Sequence, residues 1–147
     1  MKKIIILNGP NLNLLGIREP EIYGTTTIRD LEDICYQKAY SLNMKSDFRQ
    51  TNHEGELVEW VQDARGIYEG MVINAAAYTH TSIALHDALK IVDMPVIEVH
   101  LSNPKERETF RHFSYVELVA AHVIAGKGPT GYEEAIDKLA EILSAGS

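Results

Sequence analysis

An open α/β fold built on a parallel sheet is predicted by two observations. Short β-branched runs recur along the chain, and segments whose apolar residues follow a helical period separate them. That alternation is the pattern of βαβ units. A third observation limits its extent: 147 residues at 45% hydrophobic composition suffice for one core, so a single domain over residues 1–147 is expected.

The first strand is placed at Lys3 to Leu7. The start Met1-Lys2-Lys3-Ile4-Ile5-Ile6-Leu7 resembles a secretory leader, but its apolar run stops at Asn8, short of the roughly 7–15 residues such a leader needs. The first helix follows from Ile28, Leu31, Ile34, Cys35 and Leu42 on one face, with Thr27 and Asp30 offering a capping box. Lys45 to Gln50 is the second strand. Glu54 to about Arg65 is the next helix, with Leu57, Val58 and Val61 inward. Met71 to Asn74, Val96 to His100 and His122 to Ala125 complete the strands. Ser82 to Val92 and Tyr132 to Leu143 complete the helices, the last preceded by Gly128, Pro129 and Gly131. Five strands with crossover helices point to a flavodoxin-like doubly wound five-stranded parallel sheet with helices on both faces.

Composition excludes several classes of function. The formal net charge is −7, which argues against a nucleic-acid partner, because phosphate binding needs clustered Lys and Arg. An anionic small molecule remains compatible if a few cations gather in one pocket. No stretch approaches the roughly 20 apolar residues of a membrane span, so a soluble cytoplasmic protein is expected. The single cysteine, Cys35, has no partner for an internal disulfide and falls on an apolar helix face, where packing is its expected role.

One connection breaks the pattern. Strand-to-helix loops in α/β units usually take about 2–6 residues, yet the segment from Asn8 to Thr26 is far longer. Long loops of this kind are commonly lids, and ligands of open α/β sheets bind beyond the carboxyl ends of the strands. The ends of the third and fourth strands face the same region and carry Asn74, then Tyr78-Thr79-His80, and Glu98-Val99-His100, then Leu101-Ser102-Asn103.

Within that loop Arg18 and Tyr23 stand five residues apart. A phenol titrates near pH 10, so acting as a base at neutrality requires roughly 4 kcal/mol of stabilisation of its anion, which an adjacent arginine in a water-poor pocket supplies. The competing reading pairs Arg18 with Glu19 or Glu21 at the surface and packs Tyr23 against the loop. His100 suits a general acid near neutral pH, or a satisfied core histidine. His80 orients a ligand or caps the following helix. Arg107 and Arg111, four apart, are expected to share one helix face, either solvated or turned inward. His80, His86, Asp87, Glu98 and His100 carry no metal-site spacing, so no metal is expected. Neither a P-loop nor a Gly-x-Gly-x-x-Gly run is present, so no nucleotide cofactor is expected, and no Gly-x-Ser-x-Gly elbow supports a serine hydrolase.

Four segments together resemble a known family. They are Ile6-Leu-Asn-Gly-Pro-Asn-Leu-Asn-Leu-Leu-Gly16 with Arg18-Glu-Pro20 and Tyr23-Gly24, Asn74 with Tyr78-Thr-His-Thr-Ser82, Glu98-Val-His-Leu-Ser-Asn103, and Phe110-Arg-His-Phe-Ser-Tyr115. In order and in length the chain is similar to the type II 3-dehydroquinate dehydratases. The resemblance implies dehydration of 3-dehydroquinate to 3-dehydroshikimate in the shikimate pathway, without metal or cofactor, through an enolate. By resemblance Tyr23 is the base, Arg18 the cation that favours its phenolate, and His100 the acid that protonates the departing hydroxyl. Asn11 holds a water or donor near the enolate oxygen. Asn74, His80 and Arg111 match substrate-binding positions, the Leu101 and Ser102 amides match those that hold the carboxylate, and Asp87 matches a residue presented to a neighbouring subunit's site. The resemblance further implies a homo-oligomer, a dodecamer built of trimers.

Two departures stand out. Ala75-Ala76-Ala77 replaces a stretch where many members carry Gly or Pro, and Phe113 stands where His is often found. None of the eight lysines falls in a recognised motif, so no Schiff base is expected. The alternatives are a non-catalytic small-molecule-binding domain on the same fold and a lyase acting on another hydroxy-ketone acid.

Overall fold

The computed structural model describes residues 1–17, 21 and 24–145. In chain order these form β1 (Lys2–Asn8), α1 (Ile28–Ser41), β2 (Met44–Gln50), α2 (Glu54–Asp63), β3 (Gly70–Asn74), α3 (Ile83–Ile91), β4 (Val96–His100), β5 (His122–Ala125) and α4 (Thr130–Ala145). Short 3-10 turns at Leu12–Leu14, Ala76–His80, Pro104–Glu106 and Thr109–Arg111 lie in the connections.

The strands pair in parallel in the order β2-β1-β3-β4-β5, the doubly wound arrangement expected. Central strands of such sheets are covered on both faces and therefore read as continuous apolar runs. Ile4 to Leu7 of β1 are all fully buried. Alternate residues serve opposite faces: Ile4 and Ile6 join α1 and α4 through Leu31, Cys35, Ile136 and Leu139. Ile5 and Leu7 join α2 and α3 through Leu57, Val61 and Leu85.

Helix starts follow local chemistry. The Thr27 hydroxyl accepts from the Asp30 amide and the Asp30 carboxylate accepts from the Thr27 amide, which is the capping box read from sequence. Ser82 caps α3 by accepting from the Leu85 amide, so the helix begins one residue later than the sequence reading placed it.

Register aligns the carboxyl ends. Asn8 lies opposite both Gln50 and Asn74, and His100 lies opposite Ala125. Beyond β1, Gly9 donates its amide to the Asn74 carbonyl at 2.8 Å. A Cβ on Gly9 would stand 2.4 Å from the Ala75 carbonyl oxygen. Only glycine lets the two loops leave the sheet in contact. Among the described residues no helix is long and apolar enough to cross a membrane.

Candidate active site

At the carboxyl edge of the sheet, a cavity opens where β1, β3 and β4 end. From the β1 loop it is lined by Asn11 and Leu15, and from the β3 end by Asn74 and His80. His100, Leu101 and Ser102 come from β4 and its turn, and Arg107 and Arg111 close the far side. Seven residues singled out in the sequence therefore share one cavity: Asn11, Asn74, His80, His100, Leu101, Ser102 and Arg111. Arg18 and Tyr23 lie outside the described residues. Asp87 does not line this cavity; it is exposed on α3, where its carboxylate accepts from His86 Nδ1 at 3.1 Å.

Asn11 takes a left-handed backbone (φ 69°), which asparagine tolerates. Its amide donates to Asn52 Oδ1 at 2.9 Å, and that oxygen also accepts from Gln50 Nε2 at 3.1 Å. Tyr78 donates its hydroxyl to the Asn52 carbonyl at 2.6 Å. Asn52 thereby ties the β1 loop to the β3 loop, a role its sequence context did not signal.

Asn74 is held from beneath. Tyr132, fully buried on α4, donates to Asn8 Oδ1 at 2.7 Å and accepts from Asn74 Nδ2 at 3.0 Å. Asn74 Oδ1 accepts from the Ala76 amide at 3.1 Å. This sets the orientation of the Asn74 amide: its oxygen is engaged by backbone, and its NH2 keeps one hydrogen beyond the one given to Tyr132. Burial pushes the Tyr132 phenol far above its ordinary range, so it serves only as a neutral donor and acceptor. Tyr132 was legible in the sequence only as a helix start. Its neighbourhood also holds Ala76, whose φ of 52° is a left-handed conformation for a residue with a Cβ. It falls in the Ala75-Ala76-Ala77 stretch marked as a departure.

His100 and Glu98 project from the same face of β4, two residues apart. His100 Nε2 donates to Glu98 Oε2 at 2.5 Å, and both side chains are more than nine-tenths buried. In the sequence Glu98 stands at a strand end and in the family-like segment Glu98-Val-His-Leu-Ser-Asn103 with no role of its own; its spacing to His100 was the available signal. His80 Nδ1 donates to the Phe113 carbonyl at 2.8 Å rather than capping α3. Its ring lies nearly parallel to that of His100, with centroids 6.5 Å apart. Burial lowers the His80 imidazole below its ordinary value, with the charges of His100 and Arg111 adding to the effect.

Arg107 and Arg111 do not share a helix, because the extended backbone of Arg107 (φ −108°, ψ −161°) ends the turn Pro104–Glu106 and a separate turn spans Thr109–Arg111. Glu108 lies between them, 2.9 Å from Arg111 Nε and 3.8 Å from Arg107 Nε. A bond from its own backbone amide, then Arg111, holds the Glu108 carboxyl below the usual range. Among the described residues no three of His, Cys, Asp and Glu are grouped as metal ligands. The cavity thus offers a buried imidazole, a fixed amide and two cations on one side, a set suited to an anionic hydroxylated ligand and to proton transfer.

Comparison with known proteins agrees with this chemistry. The family described as Dehydroquinase class II matches residues 2–140. The chain is 55% identical over 144 residues to a 3-dehydroquinate dehydratase of Streptomyces avermitilis, covering 97% of this chain and 91% of the relative. It is 54% identical over 140 residues to 3-dehydroquinate dehydratase 2 of Pseudomonas aeruginosa, covering 95% of each. The crystal structure of type II dehydroquinase from Propionibacterium acnes superposes with a TM-score of 0.93 at 45% identity, over 96% of this chain and 97% of that one. With one fold and nearly the whole length in common, the chain belongs to the class II dehydroquinase family.

Proposed function

We propose that residues 1–147 form a single catalytic domain that dehydrates 3-dehydroquinate to 3-dehydroshikimate in the shikimate pathway, in the cytoplasm and without metal or cofactor. The observation that carries this reading is the convergence of His100, Asn74 and Arg111, from three separate segments, on one cavity. Tyr23 as phenolate, favoured by Arg18, removes the proton α to the ketone. The electron pair passes to the carbonyl oxygen as an enolate, near which Asn11 holds a water or donor. As the enolate collapses, the β carbon–oxygen bond breaks and the departing oxygen takes a proton from His100, leaving as water. His100 Nε2 is committed to Glu98, so the acid is the imidazolium, the proton delivered is that of Nδ1, and the neutral Nε2–H imidazole remains.

Asn74, His80 and Arg111 bind the substrate, Asn74 as a donor, and the Leu101 and Ser102 amides hold its carboxylate. We assign the protein to a dodecamer built of trimers, with Asp87 reaching a neighbouring subunit's site. Ile83, Asp87 and Ile91 recur every four residues along α3 and are all exposed, which supports an interface there. A sizing measurement that returned a monomer would refute that assembly.

The test of the reaction is the appearance of the enone's ultraviolet absorbance when metal-stripped protein meets 3-dehydroquinate. Tyr23→Phe is expected to fold, bind and lose activity by orders of magnitude. Folded wild-type protein giving no absorbance change returns the chain to a non-catalytic binding domain. Near-normal turnover in Tyr23→Phe refutes the base, and a borohydride-trapped lysine adduct refutes the absence of a Schiff base.

A further inference from the structure

The hydrogen-bond chain behind His100 does not end at Glu98. Ser114 Oγ donates to Glu98 Oε2 at 2.8 Å, the same oxygen that accepts from His100 Nε2. A serine hydroxyl has one proton, and here its direction is set from the far side, because the Glu117 amide donates to Ser114 Oγ at 2.9 Å. The other carboxylate oxygen, Glu98 Oε1, is buried and has no hydrogen-bond partner among the described residues. Both protein donors therefore meet on Oε2. The terminal torsion of a glutamate is broad and roughly two-fold, so the His100 bond alone does not select one rotation of the carboxylate. A second donor on the same oxygen does.

The residue before Ser114 performs a parallel task. The Phe113 carbonyl accepts from His80 Nδ1, and the Tyr115 amide donates to the Thr79 carbonyl at 2.9 Å. Consecutive residues of one turn thus hold the two stacked imidazoles of the cavity: Phe113 directly holds His80, and Ser114 holds His100 through Glu98.

We propose that Ser114 is a positioning residue for the reaction, locking the Glu98 carboxylate and through it the ring of His100. This rests on the reading of His100 as the acid. Ser114 does not line the cavity that holds Asn11 and Asn74, and its hydroxyl is given to Glu98, so its loss is expected in kcat rather than in KM.

The experiment is steady-state kinetics on the full chain for Ser114→Ala, Ser114→Thr, His100→Ala and the Ser114→Ala/His100→Ala double variant, with thermal melts of each. Ser114→Ala is expected to lower kcat about 10- to 100-fold, the scale of one hydrogen bond to a charged group, with KM within about twofold. Ser114→Thr, which keeps the hydroxyl, is expected to recover most of the loss. In the His100→Ala background the Ser114 change is expected to alter kcat less than about twofold, because the two act as one unit. Wild-type kcat in Ser114→Ala beside a crippled His100→Ala overturns the role of Ser114 and leaves that of His100 intact. A Ser114 effect that persists in full without His100, or a threonine variant as poor as alanine, also overturns it. Wild-type kcat in His100→Ala overturns the acid first and the Ser114 assignment with it.

Discussion

His100 and Glu98 meet through a 2.5 Å hydrogen bond, Nε2 donating to Oε2, from adjacent same-face positions of β4. Each is buried, so the carboxylate fixes both the tautomer and the tilt of the imidazole. Glu98→Gln is expected to reduce kcat by about 10²- to 10⁴-fold, the usual contribution of a positioned acid, with KM little changed. Turnover kinetics within a few-fold of wild type would show that the pair is structural.

Tyr132 joins α4 to the ends of β1 and β3 through Asn8 and Asn74. Tyr132→Phe keeps the ring and removes the hydroxyl that both amides share. Leaving buried polar groups unpaired is expected to cost about 1–3 kcal/mol in unfolding experiments. Because the Asn74 amide then keeps only the Ala76 amide as its anchor, its NH2 is held less firmly and KM is expected to rise. Unchanged stability together with unchanged KM would contradict the network's role.

Ala76 is held at φ 52°. The left-handed conformation costs an L residue roughly 1–2 kcal/mol, partly offset in glycine by its more flexible unfolded chain. Ala76→Gly is therefore expected to stabilise the protein by about 0.5–1 kcal/mol in thermal or urea unfolding. A destabilised variant would show that the methyl group contributes more by packing than its backbone loses.

His80 is half-buried, and burial is the principal cause that lowers its imidazole from the ordinary 6.5; the Phe113 carbonyl opposes the shift. Between the lowered value and 6.5 the unfolded chain binds more protons than the folded one, so this group's contribution to stability is present above pH 6.5 and lost as pH falls through the lowered value. Thermal melts between about pH 8 and about pH 5 should show wild type losing stability faster than His80→Asn in that window. Parallel curves would exclude His80 as the source.

Cys35 is fully buried on α1, and burial first, then Glu133 and Glu32, push its thiol up to about 12. The thiolate is the reactive form. A disulfide reagent at neutral pH is expected to leave the folded protein untouched and to titrate one thiol after denaturation. Rapid reaction of the native protein would show that α1 opens.

Much of the fold was legible because its signals are local. Strand and helix limits agree within a few residues, and the Thr27–Asp30 capping box formed as read. Apolar runs such as Ile4 to Leu7 are plain in sequence because a doubly covered parallel strand tolerates little else. The candidate site was legible as a set of residue types at strand ends. Glu98, Ser114 and Tyr132 were not legible as its supports, since each acts by a bond whose partner is set by packing. Arg107 and Arg111 misled for the converse reason: four-residue spacing has meaning only on a continuous helix, and the chain there makes two separate turns.

By itself the sequence determined which segments are strands, which are helices, and which polar residues terminate them, because period, capping and burial preference act over a few residues. Only the tertiary structure decided that Asn8 lies beside Asn74, that Tyr132 bonds to both, and that Phe113 and Ser114 hold the two histidines. Those bonds join segments up to 124 positions apart. No local period encodes their meeting; it follows from strand order and register, which the whole core sets at once.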